Sequence, residues 1–353
     1  MTERSYPLNC WYAVSWDYEI MKGRMLPKTI CDKRLIFYRK GDGSVVAMDD
    51  ACWHRLAPLS MGRLRGDNVV CPYHGLEFES GGRCVHMPSQ DTINPSAHVR
   101  TYPLVEAHRL AWIWMGDPAK ADPALVPDLH WNDDPEWAGD GGTLRLQCNY
   151  LLAVDNLMDL THETFVHAGS IGNEAVAESP FQVSHKEGYS NVTRWIIDAA
   201  PPGFWGAQLA EHTGYKGNVD RWQIIHCFAP STITLDVGIA PTGTGAYEGD
   251  RSKGIAGRIN FAITPETEKT THYFWTGMRN FDLRSQSRTS FWRKGVATIF
   301  AQDEAVLAAQ QKTIDANPDK VFYDLNIDAG SVWARRKVKE MLDAEKTVLR
   351  RVV

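Results

Sequence analysis

Between Asp155 and His167 the sequence is as apolar as a buried helix, yet it contains Asp155, Asn156, Asp159, His162 and His167. Polar groups kept from water must be hydrogen bonded, ion paired or bound to a metal. On an ideal helix Asp155, Asp159 and His162 share one face, with Leu151, Leu152, Val154, Leu157 and Leu160 on its flanks. His167 falls about 140° round from His162, so the two imidazoles converge only if the helix widens into a π-turn or ends before Val166. Two imidazoles and a carboxylate with open positions form a ligand set for non-haem Fe(II) that activates dioxygen. The alternative is a buried helix whose histidines bond to backbone carbonyls and whose acids cap it or face water.

A second constellation lies upstream: Cys52-Trp53-His54, sixteen further residues, then Cys71-Pro72-Tyr73-His74. A structural zinc would accept two thiolates and two imidazoles, but its usual modules keep like ligands together. Here each short segment supplies one of each, which suits two bridged irons, Cys52 and Cys71 on one and His54 and His74 on the other. That is the arrangement of a Rieske [2Fe–2S] centre. Pro72 stiffens the second loop, and Gly62, Gly66 and Gly75 would let the backbone approach the sulfides closely.

Asp303 is a third candidate. Val296, Ile299, Phe300, Val306 and Leu307 surround it at helical spacing, placing a carboxylate in an apolar stripe. A buried carboxylate needs a cation, either an arginine or a metal. Asp159, one turn before His162, is placed to accept that histidine's other ring N–H and so fix its orientation. Asn156 would lie near the open side of a metal held there.

The elements that position these groups read as α+β. From Trp11 to Trp114 the chain alternates short β-rich runs with turns: 34–39, a turn at 40–43, 44–48, 68–70, 76–83 around Gly81-Gly82, and 110–114. The stretch from 117 to 142 is rich in Pro, Asp and Gly and reads as a linker. Domains are therefore expected over 1–116 and 143–353. In the second, the helix around Asp155 is followed by a small polar segment, Gly169 to Glu178, that could form a mobile flap. Strands are then expected at 189–197, 222–228, 231–239, 255–264 and 271–278, and helices at 288–317 and 332–350. The fold expected is an antiparallel β domain followed by a domain with a central antiparallel sheet flanked by helices.

Bulk properties exclude several classes. The chain has 353 residues and a formal net charge of −5, with no basic surplus for nucleic acid or an anionic membrane. Residues 1–9 have no apolar core of signal-peptide length, and no window approaches a membrane span, so a cytoplasmic location is expected. Seven cysteines scattered over the chain read as reduced thiols and possible ligands, not a disulfide framework.

Cys52-Trp-His54-Arg-x-Ala-Pro-Leu and Cys71-Pro-Tyr-His74-Gly-Leu-x-Phe resemble the Rieske segment of aromatic-ring oxygenase large subunits. More narrowly, they are similar to the group of vanillate O-demethylase, dicamba O-demethylase and toluenesulfonate methyl-monooxygenase. The likeness runs on through 112–118, 149–167, 264–274 and 279–281 to Asp303. It implies a Rieske [2Fe–2S] cluster and a mononuclear Fe(II) on His162, His167 and Asp303. It also implies that Asp159 bridges to a Rieske histidine of a neighbouring subunit, His74 or His54, in a homotrimer.

No nicotinamide or flavin motif accompanies these ligands, so NAD(P)H electrons would arrive through a separate reductase or ferredoxin-reductase component. The activity implied is that of an oxidoreductase of aromatic compound catabolism. It is a monooxygenase that uses dioxygen on a methoxy or methyl group of an aromatic acid, yielding a phenol and formaldehyde or an alcohol. A ring dihydroxylase shares every ligand, and a non-catalytic Rieske electron carrier would need only the first set. For the substrate, the resemblance points to Asp236 and to Phe261, which stands where the demethylases commonly have a histidine. The runs 220–224 and 236–245 look closer to the toluenesulfonate enzyme, and Arg258 is the cation suggested for an anionic substrate. Phe261 could equally be sheet core, and Asp236 a satisfied strand acid.

Overall fold

A computed structural model describes residues 4–88, 90–186 and 188–352, the last five by backbone alone. It separates into two compact units. One runs up to Val126 and includes Thr264–Glu268; the other comprises Pro127–Ile263 and the chain from Lys269 onward.

The first unit contains β1 (Trp11–Trp16), β2 (Leu26–Ile30), β3 (Lys33–Arg39), β4 (Val45–Asp49), β5 (Arg63–Arg65), β6 (Asn68–Val70), β7 (Glu77–Phe78), β8 (Cys84–His86), β9 (Thr101–Tyr102), β10 (Leu104–Ala107) and β11 (Leu110–Trp114). They form three small antiparallel sheets, ordered β1-β11-β10, β2-β3-β4-β9 and β5-β6-β7-β8. Ile36, Tyr38, Met48, Leu59, Val69, Phe78 and Val99 pack as its core, and the Cys52 and Cys71 side chains are buried among them. Asp117 and Asp122 each cap a short 3₁₀ turn that opens with proline, accepting hydrogen bonds from Ala119 N and Ala124 N.

The second unit is built on one seven-stranded antiparallel sheet: β12 (Ala138–Leu146), β13 (Phe181–Lys186), β14 (Tyr189–Ala199), β15 (Val219–Phe228), β16 (Thr232–Pro241), β17 (Ile255–Thr267) and β18 (Thr270–Arg279). Their spatial order is β12-β18-β17-β16-β15-β14-β13. The helices are α1 (Tyr150–Met158), α2 (Glu163–Val166), α3 (Glu174–Glu178), α4 (Gly203–Thr213), α5 (Gln286–Ala316) and α6 (Ala329–Val352). The α+β architecture is the one expected from the sequence.

Local differences have physical causes. Residues 138–142, within the stretch read as linker, are strand. Gly139 and Gly142 lie so close to β18 that a Cβ would meet Gly277 O at 2.1 Å and Trp275 Cζ2 at 2.9 Å. Glycines there permit close packing, although their composition resembles a loop. Helix α4 went unread because Gly203, Gly206 and Pro202 disguise it. The segment 169–178 is folded rather than a bare flap: it contains α3, and a Cβ on Gly172 would lie 1.7 Å from Glu163 O.

In α5 the buried stripe runs Trp292, Val296, Ile299, Phe300, Asp303, Leu307, Gln311. Val306, expected in it, is 48% exposed, one residue off the stripe. Among the described residues, no helix is long and apolar enough to cross a membrane.

Gly62 lies against the backbone of β6: a Cβ there would sit 2.0 Å from Val70 O. Gly66→Ala strains only a turn (φ +60°), with nothing within 4 Å of the added methyl. Gly62→Ala should therefore cost roughly 3 kcal/mol against about 1 kcal/mol for Gly66→Ala. Chemical denaturation followed by cluster absorbance would measure both, and equal costs would contradict this packing.

Candidate active site

Helix α1 starts at Asn149, whose side chain accepts Leu151 N and whose own N–H donates to Gln311 Oε1 of α5 at 2.8 Å. It stops at Met158 because Asp159 is extended (φ −125°, ψ 109°). The Asp159 carboxylate accepts Thr161 N at 2.8 Å and so caps a new turn, Leu160–His162, that leads into α2. Helix α2 ends at Val166, and His167 (φ −111°, ψ 27°) follows it. These breaks solve the 140° problem without a π-turn, and the two imidazole rings stand 5.2 Å apart at 71°.

The sheet holds this broken segment. Arg194 Nη2 donates to Thr161 Oγ1 at 2.8 Å. Arg221 Nη2 and Gln223 Nε2 donate to Glu163 Oε2 at 2.9 and 2.8 Å. Burial lowers the Arg194 pKa, against the pull of the Asp159 and Glu163 carboxylates.

Asp303 approaches from α5. Its Oδ1 is 3.5 Å from His162 Nε2 and 3.2 Å from His167 Nε2, and the three ligand atoms all lie within 4.8 Å of one another. Each outer ring nitrogen is occupied: His162 Nδ1 donates to the backbone carbonyl of Asp159 at 2.6 Å, and His167 Nδ1 to Gln302 Oε1 at 2.8 Å. The Nε2 atoms are thus left as acceptors facing a carboxylate, an arrangement that needs a cation between them. Burial disfavours the charged form of His167 most strongly, but Asp303, Gln302 and Glu163 outweigh it and raise its pKa. The donor set fits a divalent iron.

Several sequence expectations change here. The carbonyl of Asp159, not its carboxylate, orients His162. Asp155 does not share the site, because the helix break separates it from His162; it pairs with Arg335 of α6, Nε to Oδ1 at 3.0 Å. Asn156 Nδ2 donates to Asp303 Oδ1 at 3.1 Å. Gln302 was not foreseen, being an exposed polar residue beside the apolar stripe.

The cavity above the trio is walled largely by Leu157, Phe204, Trp205, Phe261, Trp292 and Phe300. Phe261 lines it. Asp236 does not. Residues 235 and 237 face the cavity and alternation turns 236 to the sheet's other side. There the Asp236 carboxylate accepts from Trp222 Nε1 at 2.9 Å and pairs with Arg251 at 2.9 Å and Arg258 at 3.1 Å. Arg258, its cross-strand partner, stacks on Trp131 and is equally remote from the cavity.

In the first unit the two Cys-His loops repeat one conformation. Cys52 N donates to Ala57 O and Leu56 N to Cys52 O; likewise Cys71 N donates to Leu76 O and Gly75 N to Cys71 O. Leu56 (φ 58°) and Gly75 (φ 74°) occupy the same left-handed position. Both cysteines are buried, the His54 and His74 rings are exposed, and those rings lie 4.7 Å apart. Burial, with Cys71 alongside, pushes the Cys52 thiol up to about 11. A cluster with one iron inside and one at the tip fits this donor set, and the metal would have to displace the thiol protons.

Two comparisons decide the family. Residues 10–103 match the Rieske [2Fe-2S] domain, and residues 146–344 match the vanillate O-demethylase oxygenase C-terminal domain. The chain belongs to the vanillate O-demethylase family of Rieske oxygenases. It is 38% identical to the toluene-4-sulfonate monooxygenase system iron-sulfur subunit of Comamonas testosteroni, over 96% of this chain and 97% of that one. It is 39% identical to the vanillate O-demethylase oxygenase subunit of Pseudomonas sp. (strain HR199), over 97% and 96%. The crystal structure of dicamba monooxygenase bound to dicamba superposes with a TM-score of 0.86 at 34% identity, covering 96% of this chain and 98% of that one. The family's cofactors are the Rieske cluster and a mononuclear non-haem iron, so this chain is a Rieske non-haem iron monooxygenase of the O-demethylase type.

Gln302→Leu should leave the cluster spectrum unchanged and weaken the mononuclear iron roughly 10- to 100-fold, as loss of an outer hydrogen bond does elsewhere. Chelator competition would measure this; unchanged iron retention would remove Gln302 from the site. Asp303→Ala should keep the Rieske absorption, lose the third iron and abolish oxygenation, and retained turnover would exclude Asp303 as a ligand.

Proposed function

We propose that this chain is the oxygenase component of a multicomponent monooxygenase that oxidises a methoxy or methyl group of an aromatic acid. His162, His167 and Asp303 hold the mononuclear Fe(II); Cys52, Cys71, His54 and His74 hold the [2Fe–2S] cluster. The observation that carries the reading is the convergence of that trio on the floor of an apolar, aromatic-walled cavity. A pure electron carrier has no use for it. Once bound, the iron supplies dioxygen activation and the cluster supplies electrons singly.

The rest falls to the chain. The aromatic walls bind and desolvate the ring. Asp159 and Gln302 fix the two imidazoles, and Asn156 holds the Asp303 carboxylate. One dioxygen, two electrons and two protons are consumed; one oxygen enters the C–H bond and the other leaves as water. A methoxy product is a hemiacetal that releases formaldehyde and a phenol, and an aryl methyl stops at the alcohol.

The electrons come from NAD(P)H through a separate reductase or ferredoxin-reductase component, in the cytoplasm. The working assembly is a homotrimer in which Asp159 of one subunit bridges to His74 or His54 of the next. Exposed Trp53, Leu56, Met61 and Tyr73 beside the cluster histidines, and exposed Phe165 beside the iron histidines, support such an assembly. The Rieske domain is taken as 1–116, the linker as 117–137 and the catalytic domain as 138–353, the expected boundary at 143 moving back because Ala138–Leu146 is a strand of the catalytic sheet.

The decisive experiment offers methoxy- and methyl-substituted benzoates, cinnamates and sulfonates with a surrogate reductase and measures formaldehyde, alcohol and NADH coupling. Three irons per chain are expected, and two would favour the carrier. A cis-diol product would establish ring dihydroxylation instead. Asp159→Asn should leave both metals bound and slow single-turnover cluster reoxidation, whereas unchanged kinetics would refute the bridge.

A further inference from the structure

An aromatic acid buried in this cavity needs a partner for its charge, since an unpaired buried carboxylate costs several kcal/mol. Arg251 and Arg258 lie across the sheet, paired with Asp236. Among the described residues lining the cavity, Arg221 alone is an arginine or lysine. It is 2% exposed. Its Nη1 donates to Ile171 O at 2.8 Å and its Nη2 to Glu163 Oε2 at 2.9 Å. Its Nε–H has no partner.

A buried N–H without an acceptor is destabilising, so its persistence at a cavity wall points to an acceptor that arrives from outside. Arg194, 5% exposed with Nε and Nη1 also unpartnered, adds a second guanidinium close enough to interact with Glu163 and Arg221. Arg221 therefore lines the cavity with both terminal nitrogens paired and its buried Nε–H without a partner.

We propose that Arg221 receives the acid group of the substrate through its Nε–H, and that Glu163, which holds the other edge of the guanidinium, sets the affinity. The proposal rests on the reading of an aromatic acid as substrate. His162, His167 and Asp303 line the same cavity, so anchoring one end of the ring at Arg221 orients the other. Glu163 repels an incoming anion while keeping Arg221 in place, which leaves affinity moderate and favours release of the product.

The test uses the purified full-length protein loaded with both metals and kept anaerobic. Quenching of the cavity tryptophans Trp205 and Trp292 reports binding of para-methoxybenzoate, para-toluenesulfonate and uncharged para-methoxytoluene. Arg221→Met should weaken both anions roughly 30-fold or more and the neutral ring less than about threefold. Arg221→Lys keeps a charge opposite Glu163 but lacks the Nε–H; it should weaken the anions about tenfold and gives the answer if the methionine variant does not fold. Glu163→Gln should tighten the anions several-fold and leave the neutral ring unchanged, a sign that a merely structural role would not produce.

Equal losses for anions and neutral ring, or weaker anion binding in Glu163→Gln, overturn the assignment. If the wild type demethylates an acid that Arg221→Met binds as tightly, the anchor fails and the proposed function stands. If the wild type binds none of the probes and oxidises no substituted acid, both fall.

Discussion

Asp303 places a carboxylate in the apolar seam of α5, where it is 6% exposed and meets two imidazoles and the amide of Asn156. Neutral imidazoles cannot balance that charge. The site is stable only when something positive sits between the Nε2 atoms and the carboxylate, and much of the second unit is arranged around that demand. Arg194, Arg221 and Gln223 tie the histidine segment to the sheet, while Gln302 and the Asp159 carbonyl turn the rings so that their acceptor nitrogens face inward. Removing any one of these leaves the carboxylate in place and its compensation weaker.

The first unit solves a related problem in a different way. Its two thiols are buried, and burial raises the pKa of Cys52, yet its two imidazoles are exposed. Two loops of the same hydrogen-bonding pattern carry one thiol and one imidazole each, so a single backbone conformation, used twice, separates a buried end from an accessible one. The left-handed residue that each loop needs is Gly75 in one and Leu56 in the other. The leucine accepts backbone strain there and stands exposed beside the histidines.

The sheet sorts its residues by parity. Odd-numbered positions of β15, β16 and β17 face the cavity; even-numbered ones form a separate polar and aromatic face on which Asp236, Arg251 and Arg258 satisfy one another. Residues adjacent in sequence therefore have unrelated roles. Phe261 walls the cavity and Arg221 presents a guanidinium to it, whereas Trp222 belongs to the other face and bonds Asp236.

Much of this was legible in the sequence. The spacing of Cys52, His54, Cys71 and His74 needs only two short loops, and local spacing survives folding. The apolar stripe around Asp303 and the alternation of the strands followed from periodicity, which is likewise a local property. What spacing could not determine was direction across elements. Whether Asp155 joins His162 depends on a helix break made by a single extended residue, Asp159. Whether Asp236 or Arg221 faces the cavity depends on which side of the sheet α5 covers, and whether Gln302 reaches His167 depends on where α5 lies. The last of these is an outcome of packing between segments more than a hundred residues apart, His167 and Gln302 being 135 residues apart. A side chain's type sets what it can do, but only the tertiary contacts set what it faces.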